Sequence, residues 1–115
     1  MTEPGFWPLR WVRVTGASMV PSLRHGDVIV VRRTRRLPPV GAVVVVALPD
    51  RPLAVKRLTR VEPDGRVRVE GDNPFGSADS RDLGALPPAA VRARVLVRLW
   101  PRPGYVPVGQ GPHQE

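Results

Sequence analysis

Ser18 lies two residues after Gly16 and three before Pro21, in the loop Gly16-Ala17-Ser18-Met19-Val20-Pro21-Ser22-Leu23. A loop of this make-up holds a hydroxyl outward and leaves backbone N–H groups free to bind an oxyanion. A serine hydroxyl is a weak nucleophile until a base takes its proton. His25, His113 and Lys56 are the side chains considered for that base. His25 shares the serine's own loop and has no acidic partner in view, and His113 sits in a Pro/Gly-rich C-terminal stretch. Lys56 remains, 38 positions after Ser18 in the apolar context Leu53-Ala54-Val55, and the two form a Ser–Lys pairing. A lysine is a base only when neutral. Its ordinary pKa is near 10.4, and bringing it toward neutral pH takes about 3–4 kcal/mol, an effect that desolvation supplies. Read on spacing alone, the same two residues also fit a turn serine and a solvated strand lysine.

Lys56 is the single lysine among 18 Lys+Arg. Arginine stays protonated, whereas a buried lysine can lose its proton. The Arg-, Val-, Ala- and Pro-rich make-up also matches a GC-rich genome. The absence of Cys excludes disulfide scaffolds, thiolate metal sites and a cysteine nucleophile. Two His leave little for a His-rich metal centre, and neither a metal nor a cofactor is expected. The net charge of +8 suits acidic partners such as nucleic acid, an anionic membrane or an acidic peptide. Its densest run, Arg32, Arg33, Arg35 and Arg36, reads most simply as a solvated rim. A basic module for single-stranded nucleic acid stacks bases on interleaved aromatics. Only Phe75 lies between Trp11 and Trp100, so no nucleic-acid partner is expected.

These residues need a rigid frame. Fifteen Pro and 11 Gly argue against a helical bundle. Short β-branched or alternating segments read as strands over 11–14, 27–33, 42–48, 53–61, 66–70 and 91–100. The connector 15–26 has room for a helical turn, and 71–90 reads as a loop. The expected fold is all-β, mainly antiparallel, a barrel or sandwich. Residues 1–100 read as one domain and 101–115 as a flexible Pro/Gly-rich tail. The longest apolar run, Ala42 to Leu48, is far short of the roughly 20 residues of a spanning helix. The first 14 residues lack the apolar centre of a secretory signal. Phe6, Trp7 and Trp11 form an aromatic patch expected to pack on the domain's own strands, with peripheral membrane contact as the alternative. The expected location is cytoplasmic or membrane-peripheral.

Three segments, in order, resemble the type I signal peptidase family of Ser–Lys proteases. Ser18-Met19-Val20-Pro21-Ser22-Leu23 is similar to its nucleophile box, with Ser22 in place of the usual Thr. Lys56-Arg57 is similar to its general-base box, and Gly71-Asp72-Asn73 with Ser77, Asp79, Ser80 and Arg81 to its last box. The resemblance implies a compact signal-peptidase/LexA-like β-barrel core and a peptide-bond hydrolase. It implies Ser18 as nucleophile, Lys56 as general base, and Ser77 as the hydroxyl that orients the lysine. Asp72 and Arg57 match a pair near the base, Asp79 and Arg81 a second ion pair, and Met19 and Pro21 residues that shape the nucleophile loop. Some relatives place a hydroxyl residue where Gly16 stands, so the oxyanion hole is expected to rest mainly on the Ser18 N–H. Only 17 residues precede Ser18, and 14 separate Lys56 from Gly71. The first span is too short for a membrane helix with a linker, the second for a cap domain. That combination resembles the nickel-type superoxide dismutase maturation proteases of actinobacteria, whose partner is the dismutase precursor. They remove its leader and free an N-terminal His, and the nickel belongs to that substrate. Soluble processing of other precursors is the alternative. A self-cleaving repressor of the related class would need a DNA-binding domain, for which the 17 leading residues leave no room.

Overall fold

The computed structural model describes residues 9–75 and 80–109. Alternation and β-branching produce seven strands: β1 (Leu9–Arg13), β2 (Val28–Arg33), β3 (Val43–Ala47), β4 (Leu53–Val61), β5 (Val67–Glu70), β6 (Val91–Trp100) and β7 (Gly104–Tyr105). They form one sheet in the order β1-β2-β6-β3-β4-β5, with β7 also on β6. Every pairing is antiparallel, and the fold is all-β, as its pattern of short strands predicts.

The all-valine stretch of β3 is explained by its place in the order. It lies between β6 and β4 and is buried on both faces. Val43 and Val45 point into one core with Met19, Leu23, Ile29 and Val95. Val44 and Val46 point into a second core with Leu58, Val67, Val69 and Leu86. A strand covered on both sides loses its polar alternation and becomes a continuous apolar run. Register shifts interrupt the β2–β6, β3–β6 and β4–β5 ladders. Such bulges bend strands and strengthen their twist. The sheet accordingly curls, and the molecule measures 33 × 32 × 28 Å along its principal axes, with no thin dimension of the kind a flat sheet would leave.

Three features depart from the sequence reading. The stretch read as loop from 71 to 90 contains a short helix, α1 (Ser80–Leu83), and a 3₁₀ turn at Pro88–Ala90. The chain beyond Trp100, read as tail, turns back. It adds β7 to β6, buries Val106 in the first core, and bonds the Gly109 amide to the Gly41 carbonyl at 3.0 Å. Trp11, expected to pack inward, is 68% exposed on edge strand β1. Its partner residues Phe6 and Trp7 lie outside the described residues. No helix among the described residues is long and apolar enough to cross a membrane.

Candidate active site

The loop that carries Ser18 is closed at its base. The Val14 amide bonds the Asp27 carbonyl, and the Gly26 amide bonds the Val14 carbonyl, both at 2.8 Å. Within it, Met19 and Leu23 are buried in the first core and act as two apolar anchors. The Leu23 amide reaches the Met19 carbonyl at 3.0 Å, which makes the helical turn for which the sequence left room. Gly16 has φ +84°, a left-handed conformation suited to glycine. Its amide donates to Nδ1 of His25 at 3.0 Å. His25 is thus a clip across its own loop. Pro21 is exposed at the turn.

The Gly71-Asp72-Asn73 segment holds this loop from outside. The Asn73 amide donates to the Ser18 carbonyl at 2.8 Å, and Asn73 Nδ2 donates to the Ala17 carbonyl at 3.0 Å. Gly71 lies so close that a Cβ there would meet the Ser18 carbonyl oxygen at 2.4 Å and the Ser18 Cβ at 3.2 Å. Both contacted groups belong to the half-buried serine itself, so they move only if the serine moves. Gly71→Ala is therefore expected to displace Ser18 and to lower peptide cleavage roughly 100-fold, the scale of a displacement of about 1 Å. Thermal melting of that variant, read beside its turnover, checks that the protein remains folded.

Lys56 comes from β4, opposite Val44 of β3. It is 1% exposed and stands first among the largest fully buried side chains. Its strand neighbours on the same parity, Ala54 and Leu58, pack with the second core. Burial of this kind disfavours the charged form of a lysine. Ser18 and Lys56 line one cleft of about 310 Å³, walled also by Met19, Val45, Ala54 and Val55. The Ser18 N–H has no hydrogen-bond acceptor among the described residues, which leaves it able to bind an oxyanion. Among the described residues, two strand edges that no ladder covers belong to residues lining this cleft: β1 at the end of the sheet, and Leu53–Val55 of β4, since β5 pairs with Arg57–Val61.

Arg57 points away from Lys56 and ties four segments together. Nε and Nη2 form a two-pronged bridge to Asp72 at 2.8 and 2.7 Å. Nη1 donates to the carbonyls of Gly41 and Pro107 at 2.6 and 3.1 Å. Ser22, standing where the similar family has Thr, donates its hydroxyl to the same Asp72 carboxylate. Burial raises the Asp72 pKa, but the hydrogen bonds from Arg57 and Ser22 and the arginine's charge outweigh it and hold the carboxyl below its ordinary value. Arg81 is exposed and donates to the Gly71 carbonyl at 3.4 Å. Ser77 and Asp79 lie outside the described residues. Asn73 and His25 have roles that the sequence did not disclose. An Asn before Pro signals a turn, but its partner in a distant loop leaves no local mark.

A model of the Peptidase S24-like family matches residues 8–83, a span that takes in Ser18, Lys56 and Asp72. Mitochondrial inner membrane protease subunit 1 of Xenopus tropicalis is 31% identical, over 86% of this chain and 74% of that protein. Mitochondrial ATP-independent inner membrane protease subunit 1b of Arabidopsis thaliana is 31% identical, over 84% and 73%. Mitochondrial inner membrane protease subunit 1 of Schizosaccharomyces pombe is 31% identical, over 80% and 74%. With the family model covering more than half of the chain and these proteases aligned along most of it, the chain belongs to the Peptidase S24-like family and is a peptidase.

Proposed function

We propose that this peptidase is a serine endopeptidase with a Ser18–Lys56 dyad that removes an N-terminal leader peptide. The substrate we assign is the nickel-type superoxide dismutase precursor, cut so as to expose its N-terminal histidine. The observation that carries the dyad is the shared cleft: a half-buried serine and a lysine 1% exposed line the same hollow. Support for the finer substrate comes from Lys56-Arg57 and Gly71-Asp72-Asn73-Pro74 with nothing but the β4–β5 hairpin between them.

The substrate lies extended, its backbone pairing with the edges of β1 and of Leu53–Val55. Neutral Lys56 takes the Ser18 proton as Oγ bonds to the scissile carbonyl carbon. The carbonyl oxygen becomes an oxyanion and accepts from the Ser18 N–H. The C–N bond breaks, and the leaving amine takes the proton back from the Lys56 ammonium. Lys56 then deprotonates a water that attacks the acyl-enzyme, and Ser18 recovers its proton as the acid product leaves.

The test is mass spectrometry of the precursor after exposure to the protein and to Ser18→Ala. Wild type releases the histidine-started chain, and Ser18→Ala releases nothing. Relatives named as inner membrane proteases favour a second reading, a general leader peptidase. An intact dismutase precursor alongside a trimmed secretory precursor would establish that reading in place of ours.

A further inference from the structure

A second hollow of about 680 Å³ adjoins the cleft and is larger than it. Val12, Val45 and Leu53 line both, so the two lie side by side. Its floor is apolar, with Val31, Val91 and Ala93 beside the shared residues. Its rim carries Arg10, Arg33, Arg35, Arg36 and Arg92, and among the described residues no acidic side chain lines it. All five arginines are exposed, and none of them makes an ion pair among the described residues.

A solvated rim explains arginines on a convex surface. It does not explain five of them around a concave apolar floor. Such a hollow concentrates positive potential, and guanidinium groups grip carboxylates in two-pronged geometry. The occupant must therefore be apolar along one side and anionic along the other. A place beside the cleft, across three shared residues, puts it within reach of the same chain that is cut. We propose that this groove is a specificity site that holds an acidic and apolar segment of the substrate polypeptide next to the scissile bond. The assignment rests on the peptidase reading above and adds to it the kind of sequence the enzyme selects.

The experiment uses the full chain carrying Ser18→Ala, so that binding is read apart from cleavage. A short fluorescein-labelled peptide alternating Glu and Leu is titrated by anisotropy beside its Gln-for-Glu counterpart. The Glu peptide is expected to bind about tenfold more tightly. That difference should collapse at high salt and in the Arg35→Glu/Arg36→Glu double variant, whose substitutions sit in an exposed loop. In the wild-type enzyme, substrates with the Glu segment should show lower KM at unchanged kcat. Equal affinity for the two peptides overturns the proposal. So does tighter binding of phosphatidylserine vesicles or of a single-stranded oligonucleotide, either of which assigns the arginines to another class of partner. Selective binding of the Glu peptide by a wild-type protein that cuts no precursor would leave the groove standing and remove the dyad.

Discussion

Replacing Lys56 by arginine is expected to abolish cleavage, by roughly 10⁴-fold or more, although the positive charge is kept. Removing one member of a nucleophile–base pair costs on that order because the members act as a unit. Guanidinium cannot give up its proton at accessible pH, so it cannot accept one from Ser18. The site around Lys56 is closed, with 1% exposure, and the longer arginine head strains it. Lys56→Met is the control, since it has similar length and volume without the base. Both variants should be inactive, and Lys56→Met should remain folded by circular dichroism. The wild-type rate should rise with pH as the ammonium gives up its proton, since only the free amine is a base. Residual cleavage by Lys56→Arg, or a rate unchanged between about pH 6 and 10, would exclude a neutral lysine from the chemistry.

Removing the Asp72 carboxylate should produce the largest loss of stability. Its partner Arg57 has a side chain 6% exposed, against 14% for Asp72. Breaking a buried pair from one side costs about 3–5 kcal/mol, because it strands the remaining charge. Part of that charge would still be met by the carbonyls of Gly41 and Pro107. We therefore expect the lower end for Asp72→Ala, about 3 kcal/mol, with a fall in Tm of about 10 °C or more. Cleavage should fall as well, because Asp72 sits between Gly71 and Asn73, which hold the Ser18 loop.

The same pair sets an acid limit. The Asp72 pKa is lowered in the folded protein, despite burial, by the Arg57 and Ser22 hydrogen bonds and the arginine's charge. A carboxylate depressed on folding contributes stability that is complete above its unfolded value, about 3.9. That stability is lost as pH falls from there through the lower folded value. Urea unfolding measured on either side of about pH 4 should show wild type losing stability faster on acidification than Asp72→Asn. Parallel curves for the two proteins would mean that the bridge does not distinguish the folded chain from the unfolded one.

Much of this frame is written in local pattern. Alternation in VRARVLVRLW and the valine run of Ala42–Leu48 mark strands because side chains on a pleated backbone point to opposite faces in turn. The spacing of Gly16, Ser18 and Pro21, and the isolation of Lys56 in an apolar strand, raise a hydroxyl and an amine as candidates, and the three boxes resembling a protease family single them out; spacing alone also fits a turn serine and a solvated lysine. Other features have no local signature. Nothing near β6 says that it inserts between β2 and β3, or that β7 returns to it. Nothing near Arg57 says that it will reach Gly41, Asp72 and Pro107 at once. The arginines at 33, 35 and 36 look like a solvated rim until Arg10 and Arg92 arrive from β1 and β6 to close a groove around valines.

The sequence by itself determined which residues are apolar, which segments extend, and, through a resemblance in three short boxes, which hydroxyl and amine were candidates to act together. The tertiary structure alone decided that the hydroxyl and the amine line one cleft, that the glycine and asparagine of a distant loop hold the serine, and that five cations surround an apolar floor. The reason is that strand pairing and core burial are rewarded only when segments far apart in the chain meet. That reward depends on the whole arrangement and leaves no periodicity in any one segment.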